Sequence, residues 1–184
     1  MEKQILFAGF GGQGVLSMGQ FLTHAAMGIG REVCWVPSYG AEMRGGTANC
    51  LVTISQEEIS SPLTENPCEA IVMNRPSLDK FEPRIKPGGT LVINTSLVDR
   101  APQRDDLTVL ELPVNEIAEK INNARGSNMI VMGAYLQRTG IVDVEEALQY
   151  FETIFRGKKP GVIEKNREAF LAGVEWAREN WCKE

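Results

Sequence analysis

The chain has 184 residues, 19 of them Lys or Arg and 24 Asp or Glu, for a formal net charge of −5. With 43% hydrophobic and 23% charged residues it has the composition of one globular domain, residues 1–184, long enough to bury a core without disulfides or metal. The acidic balance offers no basic stripe to a nucleic acid, and no apolar run approaches the roughly 18 residues that a membrane helix needs.

The cysteines Cys34, Cys50, Cys68 and Cys182 form no CxxC pair, and His24 is the one histidine. That spacing disfavours a zinc or iron–sulfur site held by this chain alone. The opening residues MEKQILFAGF run straight into a strand pattern, with no charged and apolar leader. A cytoplasmic protein with reduced thiols is expected.

In chain order, Gln4 to Ala8 is a short apolar run, as for a strand buried on both faces. After the turn Gly9 to Gly14, the residues Val15, Met18, Leu22, Ala25, Ala26 and Ile29 share one face of a helix that Gly28 and Gly30 end. Glu32 to Val36 predicts a second strand. Thr47 to Ser55 alternates, as for a strand with one buried face. Strands follow at Ala70 to Met73, Thr90 to Ile93 and Leu107 to Leu112, with helices around Ser77 to Phe81 and Val114 to Ile121.

The last third is helical. Met129 to Leu136 is apolar all round, so it is either deeply buried or faces a partner, and a homodimer of the isolated chain is one expectation. Asp143 opens a helix whose Val144, Ala147, Leu148, Phe151, Ile154 and Phe155 share a face. Phe170, Val174, Ala177 and Trp181 define a final helix. Strands alternating with helices predict a three-layer α/β/α domain with a mostly parallel, Rossmann-like sheet.

Gly9, Gly11 and Gly14 fit GxGxxG directly between a strand and a helix. Such glycines either let an anion approach the helix N-terminus or let the helix pack closely on the sheet. No acid stands at the end of the second strand to hold a ribose, which weighs against a self-contained NAD enzyme. Ser38, Asn74 and Asn94 fall at strand ends, where an open sheet binds ligands, though such residues also cap helices. In the loop Ser38 to Gly46, Arg44 beside Gly45 and Gly46 can meet a phosphate or carboxylate in bidentate fashion, and Tyr39, Met43 and Arg44 equally suit docking.

Three motifs in order carry a likeness to a known family. They are Gly9-Phe10-Gly11-Gly12-Gln13-Gly14-Val15, then Pro37-Ser38-Tyr39-Gly40-Ala41-Glu42-Met43-Arg44-Gly45-Gly46-Thr47-Ala48-Asn49, then Asn74-Arg75-Pro76-Ser77-Leu78. Together they resemble the gamma subunit of 2-oxoacid:ferredoxin oxidoreductases, most of all the 2-oxoglutarate type. The resemblance implies an enzyme that decarboxylates a 2-oxoacid, passes the acyl group to coenzyme A and reduces ferredoxin. It places thiamine diphosphate, Mg and the iron–sulfur clusters on the alpha, beta and delta subunits, with no cofactor held here. Gly9, Gly11, Gly12, Gln13, Gly14, Ser38, Tyr39, Glu42, Arg44, Gly45, Gly46 and Asn74 are the residues expected to touch coenzyme A or a neighbouring subunit. Pyruvate, branched-chain and indolepyruvate enzymes are alternatives, and a free-standing nucleotide-binding or sensor domain is the reading from another class.

Overall fold

The computed structural model describes residues 2–38, 47–61 and 63–182. Six strands, β1 (Lys3–Phe10), β2 (Glu32–Ser38), β3 (Thr47–Ser55), β4 (Glu69–Val72), β5 (Thr90–Asn94) and β6 (Thr108–Leu112), form one sheet in the order β2-β3-β1-β4-β5-β6. The pairings from β1 through β4 and β5 to β6 are parallel, whereas β3 runs antiparallel to both β1 and β2. The sheet is thus mixed, parallel on one side and ending in an antiparallel hairpin on the other.

The run at β1 is buried on both faces because it lies mid-sheet. Ile5 and Phe7 point into the larger core, and Leu6 and Ala8 into the smaller one. β3 corrects the expectation of a half-buried strand. Leu51, Thr53 and Ser55 are buried as well as Cys50, Val52 and Ile54, since β3 is an interior strand between β1 and β2.

The two helical layers are unequal. The larger core joins the sheet to α1 (Val15–Gly28), α3 (Val114–Lys120), α4 (Ser127–Thr139), α5 (Val144–Gln149), α6 (Phe151–Ile154) and α7 (Pro160–Asn180). The other face is covered by α2 (Arg75–Phe81) through Leu78 and Phe81. The continuous helix expected from Val144 to Phe155 breaks at Tyr150. The Tyr150 hydroxyl donates to Gly28 O at 2.5 Å, and its ring lies where a Cβ on Gly28 would sit, so tying off the end of α1 interrupts the helix.

The apolar run of α4 is covered from within. Met129 to Leu136 are all buried, against α7, α3 and α1, so this run supplies no surface for a second copy. Gly133 and Gly173 make the crossing of α4 and α7 close. A Cβ on Gly133 would lie 1.9 Å from Phe170 O, and one on Gly173 would lie 2.0 Å from Ile130 O.

At the amino-terminal end of the sheet, buried Glu69 accepts from Lys3 Nζ at 2.6 Å and from Tyr135 Oη at 2.7 Å. The hydrogen bond to Glu69 raises the Lys3 ammonium. Burial, reinforced by the charge of Glu69, raises the Tyr135 phenol well above its ordinary range. Both groups hold their protons more tightly folded than unfolded, so unfolding releases protons at alkaline pH. Stability is expected to be complete below pH ~10, the unfolded values, and to fall as pH rises through the folded ones. Urea titrations at increasing pH check this. Tyr135→Phe should cost about 1–3 kcal/mol at neutral pH and lessen the alkaline loss.

Candidate functional site

The carboxyl ends of β1, β4 and β5 meet the start of α1 at the glycine turn. Gln13 is the knot of that turn. Its Oε1 accepts from Phe10 N at 2.6 Å and from Asn74 Nδ2 at 2.9 Å, and its Nε2 donates to Met73 O at 3.3 Å. Asn74 Oδ1 accepts from Ser77 N at 2.9 Å and so caps α2. The two side chains are spent on joining the turn to the β4–α2 corner. A Cβ on Gly9 would lie 2.7 Å from Gln13 Oε1 and 2.9 Å from Val15 Cγ1, which makes Gly9 a packing glycine.

Gly12 and Gly14 have φ of +95° and +74°, and Gly14 stands at the head of α1 without a side-chain cap. The surroundings of Gly12 are open, whereas a Cβ on Gly14 would lie 2.7 Å from Asn128 Nδ2. The head of α1 therefore adjoins the first turn of α4. Between them opens a cleft of about 470 Å³, floored by Met73 and Asn94 at the ends of β4 and β5. Its far wall is the turn Ala124–Gly126, which runs into α4.

Among the described residues no carboxylate lines this cleft, and Arg125 is its one charged side chain. Asn94 is 2% exposed. Its Oδ1 accepts from Ser96 N at 3.1 Å, and its buried Nδ2 has no partner among the described residues. Arg125 and Asn128 are cleft residues that sequence reasoning missed. Their signal is the polar stretch Asn122 to Asn128 immediately before an apolar helix. Ser38 is not brought here. It pairs opposite Asn49 at the end of β2 and lines a separate groove of about 280 Å³ with Leu51 and Leu63. Tyr39, Glu42, Arg44, Gly45 and Gly46 lie outside the described residues.

The topology also explains the missing ribose acid. β3 is inserted between β1 and β2, so the end of β2 is one strand further from the glycine turn than the second strand of a dinucleotide fold.

The family described as pyruvate ferredoxin/flavodoxin oxidoreductase matches residues 4–176. The chain belongs to that family. Among relatives, it is 39% identical over 97% of its length to the ketoisovalerate oxidoreductase subunit VorA of Methanothermobacter thermautotrophicus, of which it spans 37%. It is 36% identical over 95% of its length to the 2-oxoglutarate synthase subunit KorC of Methanothermobacter marburgensis, covering 96% of that chain. The chain thus spans about a third of the length of the first of these relatives and nearly all of the second. The gamma subunit of a keto/oxoacid ferredoxin oxidoreductase from Geobacter sulfurreducens superposes with a TM-score of 0.79 at 26% identity, over 96% of this chain and 99% of that one. A 2-oxoglutarate:ferredoxin oxidoreductase from Magnetococcus marinus, solved with 2-oxoglutarate, coenzyme A and succinyl-CoA bound, superposes with a TM-score of 0.84 at 25% identity, over 97% of this chain and 31% of that one.

The pyruvate ferredoxin/flavodoxin oxidoreductase family and the gamma-subunit fold are as the three motifs pointed to. The 2-oxoglutarate type is not singled out, because the ketoisovalerate relative has the higher identity of the two. Among the described residues of this family member, no three His, Cys, Asp or Glu side chains could hold a metal ion together. The thiol of Cys50 is buried, donates to Val15 O at 3.5 Å and is pushed by burial up to about 11. No helix among the described residues is long and apolar enough to cross a membrane.

Proposed function

We propose that this chain is the gamma-type subunit of a 2-oxoacid:ferredoxin oxidoreductase, contributing to the coenzyme A path rather than to the redox centres. The family match over residues 4–176 carries this reading. The complex would convert a 2-oxoacid to acyl-CoA and CO2 and reduce ferredoxin. Thiamine diphosphate, Mg and iron–sulfur clusters would sit on its alpha, beta and delta partners. 2-Oxoglutarate is the substrate favoured by the three motifs and by the KorC relatives. A branched-chain 2-oxoacid is the second reading, favoured by 39% identity to VorA. The uncapped heads of α1 and α4, facing a cleft with no acid among its described residues, suit a phosphate of coenzyme A. Arg44 adds a guanidinium whose fork matches a phosphate or a carboxylate of a neighbouring subunit.

Co-expression with thiamine- and cluster-bearing chains tests the assignment. The expected result is a stable complex forming acyl-CoA from one of the four 2-oxoacids, and a chain that joins no such complex would overturn it. Arg44→Ala should weaken coenzyme A use or assembly by about 10- to 100-fold, as for the loss of one charge-assisted pair. A raised KM for coenzyme A with intact assembly marks phosphate binding, and loss of assembly marks docking. An Arg44→Ala complex with native assembly and kinetics discards both roles.

A further inference from the structure

We propose that the head of α4 is a phosphoryl-binding subsite, formed by Arg125, Asn94 Nδ2, the Asn128 side chain and the amides of Ser127 to Met129. The inference rests on the reading above only for the source of the phosphate. The glycine turn is not the main anion contact, because Gln13 and Asn74 are consumed by one another and by backbone groups.

Four observations converge on α4 instead. The helix is 13 residues long and begins at Gly126 without a side-chain cap, so its first amides and partial positive charge face the cleft. Arg125, in the turn leading into it, makes no hydrogen bond or ion pair among the described residues and lines the cleft. Asn94, at the end of β5, is buried with a free amide donor. The hydrogen bond from Ser96 N to Oδ1 fixes which way the amide is turned, leaving Nδ2 as the unpaired atom. The fourth is the sign of the surroundings. In a chain of net charge −5, the described residues around this cleft include no carboxylate and one guanidinium, with neutral amide and hydroxyl side chains beside it. Asn128 bridges the two poles, since its Nδ2 abuts Gly14 at the head of α1. A ligand with two linked phosphoryl groups would span α4 and α1.

Titration of the full-length, ¹⁵N-labelled chain with inorganic phosphate and with pyrophosphate tests this. The expected result is a saturable shift of the Ser127, Asn128 and Met129 amides and of Arg125 Nε, stronger for pyrophosphate and weakened by salt. Arg125→Ala, at an exposed position that cannot unfold the core, should weaken pyrophosphate binding by about tenfold or more. Asn94→Asp keeps an oxygen for Ser96 N and replaces the free donor with a charge, and should abolish binding. Unmoved resonances overturn the subsite, as does native affinity in both variants. In the assembled enzyme, a raised KM for coenzyme A in Arg125→Ala identifies coenzyme A as the source of the phosphate. An unchanged KM, with pyrophosphate binding lost, assigns the subsite to another phosphate ester. Lost assembly with native pyrophosphate binding in Arg125→Ala makes the residue a docking contact and overturns the proposal. A native chain that binds pyrophosphate but joins no oxidoreductase complex would sink the function and leave the subsite standing.

Discussion

Gly133→Ala is expected to destabilise the fold by about 3 kcal/mol, although alanine is the better helix former by ~1 kcal/mol. The sign is decided by what the added methyl meets. At Gly133 it falls 1.9 Å from Phe170 O, and at Gly173 it falls 2.0 Å from Ile130 O, both backbone atoms of the facing helix. No side chain can rotate away, so α4 and α7 must separate along a contact that buries Ile130, Ala134, Phe170 and Val174. Gly161, in the first turn of α7, is the control. A methyl there meets nothing within 4 Å, so Gly161→Ala should leave stability unchanged or gain up to ~1 kcal/mol. Urea midpoints at constant m-value report the difference. The double variant Gly133→Ala, Gly173→Ala should cost less than the two singles together, because one separation relieves both clashes. A Gly133→Ala chain as stable as the native one would refute the close crossing.

Gly14→Val should impair coenzyme A use by the assembled enzyme about 100-fold or more, beyond the effect of losing Arg44. Two costs combine. The residue holds φ at +74°, where an L side chain costs ~1–2 kcal/mol and a β-branched one is worse placed still. Its Cβ would also stand 2.7 Å from Asn128 Nδ2. Asn128 is half-buried and can swing aside, so the damage goes to the cleft, by displacing the side chain that links the heads of α1 and α4. Gly12→Ala separates the two causes. It shares the positive φ but has open space, so it should lose ~1–2 kcal/mol of stability and retain coenzyme A use. Equal kinetic damage in both variants would show that backbone strain alone matters there.

The parts legible in the sequence are those governed by neighbours along the chain. β3 occupies Thr47–Ser55 and α1 runs from Val15 to Gly28, as apolar spacing and glycine punctuation require. Asn74 and Asp143 cap helices as their residue types favour. Contacts made across the fold were not legible. Nothing in the hairpin sequence says that β3 enters between β1 and β2, and only Gly28, more than a hundred residues away, explains the break at Tyr150. In the candidate site, the glycine turn announced itself, while Gln13 resembles a ligand contact in sequence and proves to be an internal tie. Arg125 has no periodic or motif signal, and the role proposed for it comes from a wall with no acid among its described residues.

The place of β1 in the middle of the sheet bears on how the chain reaches its native state. Its partners lie 37 to 51 residues onward in β3 and 64 residues onward in β4, so each pairing must close a long loop first. Until then Ile5 to Ala8 is an unpaired apolar segment with a free edge on either side. α1 and the β2–β3 pairing rest on shorter-range contacts and are expected to form ahead of it. Folding should accordingly be slow for a domain of this size, and refolding from denaturant should lose material to aggregation in proportion to chain concentration.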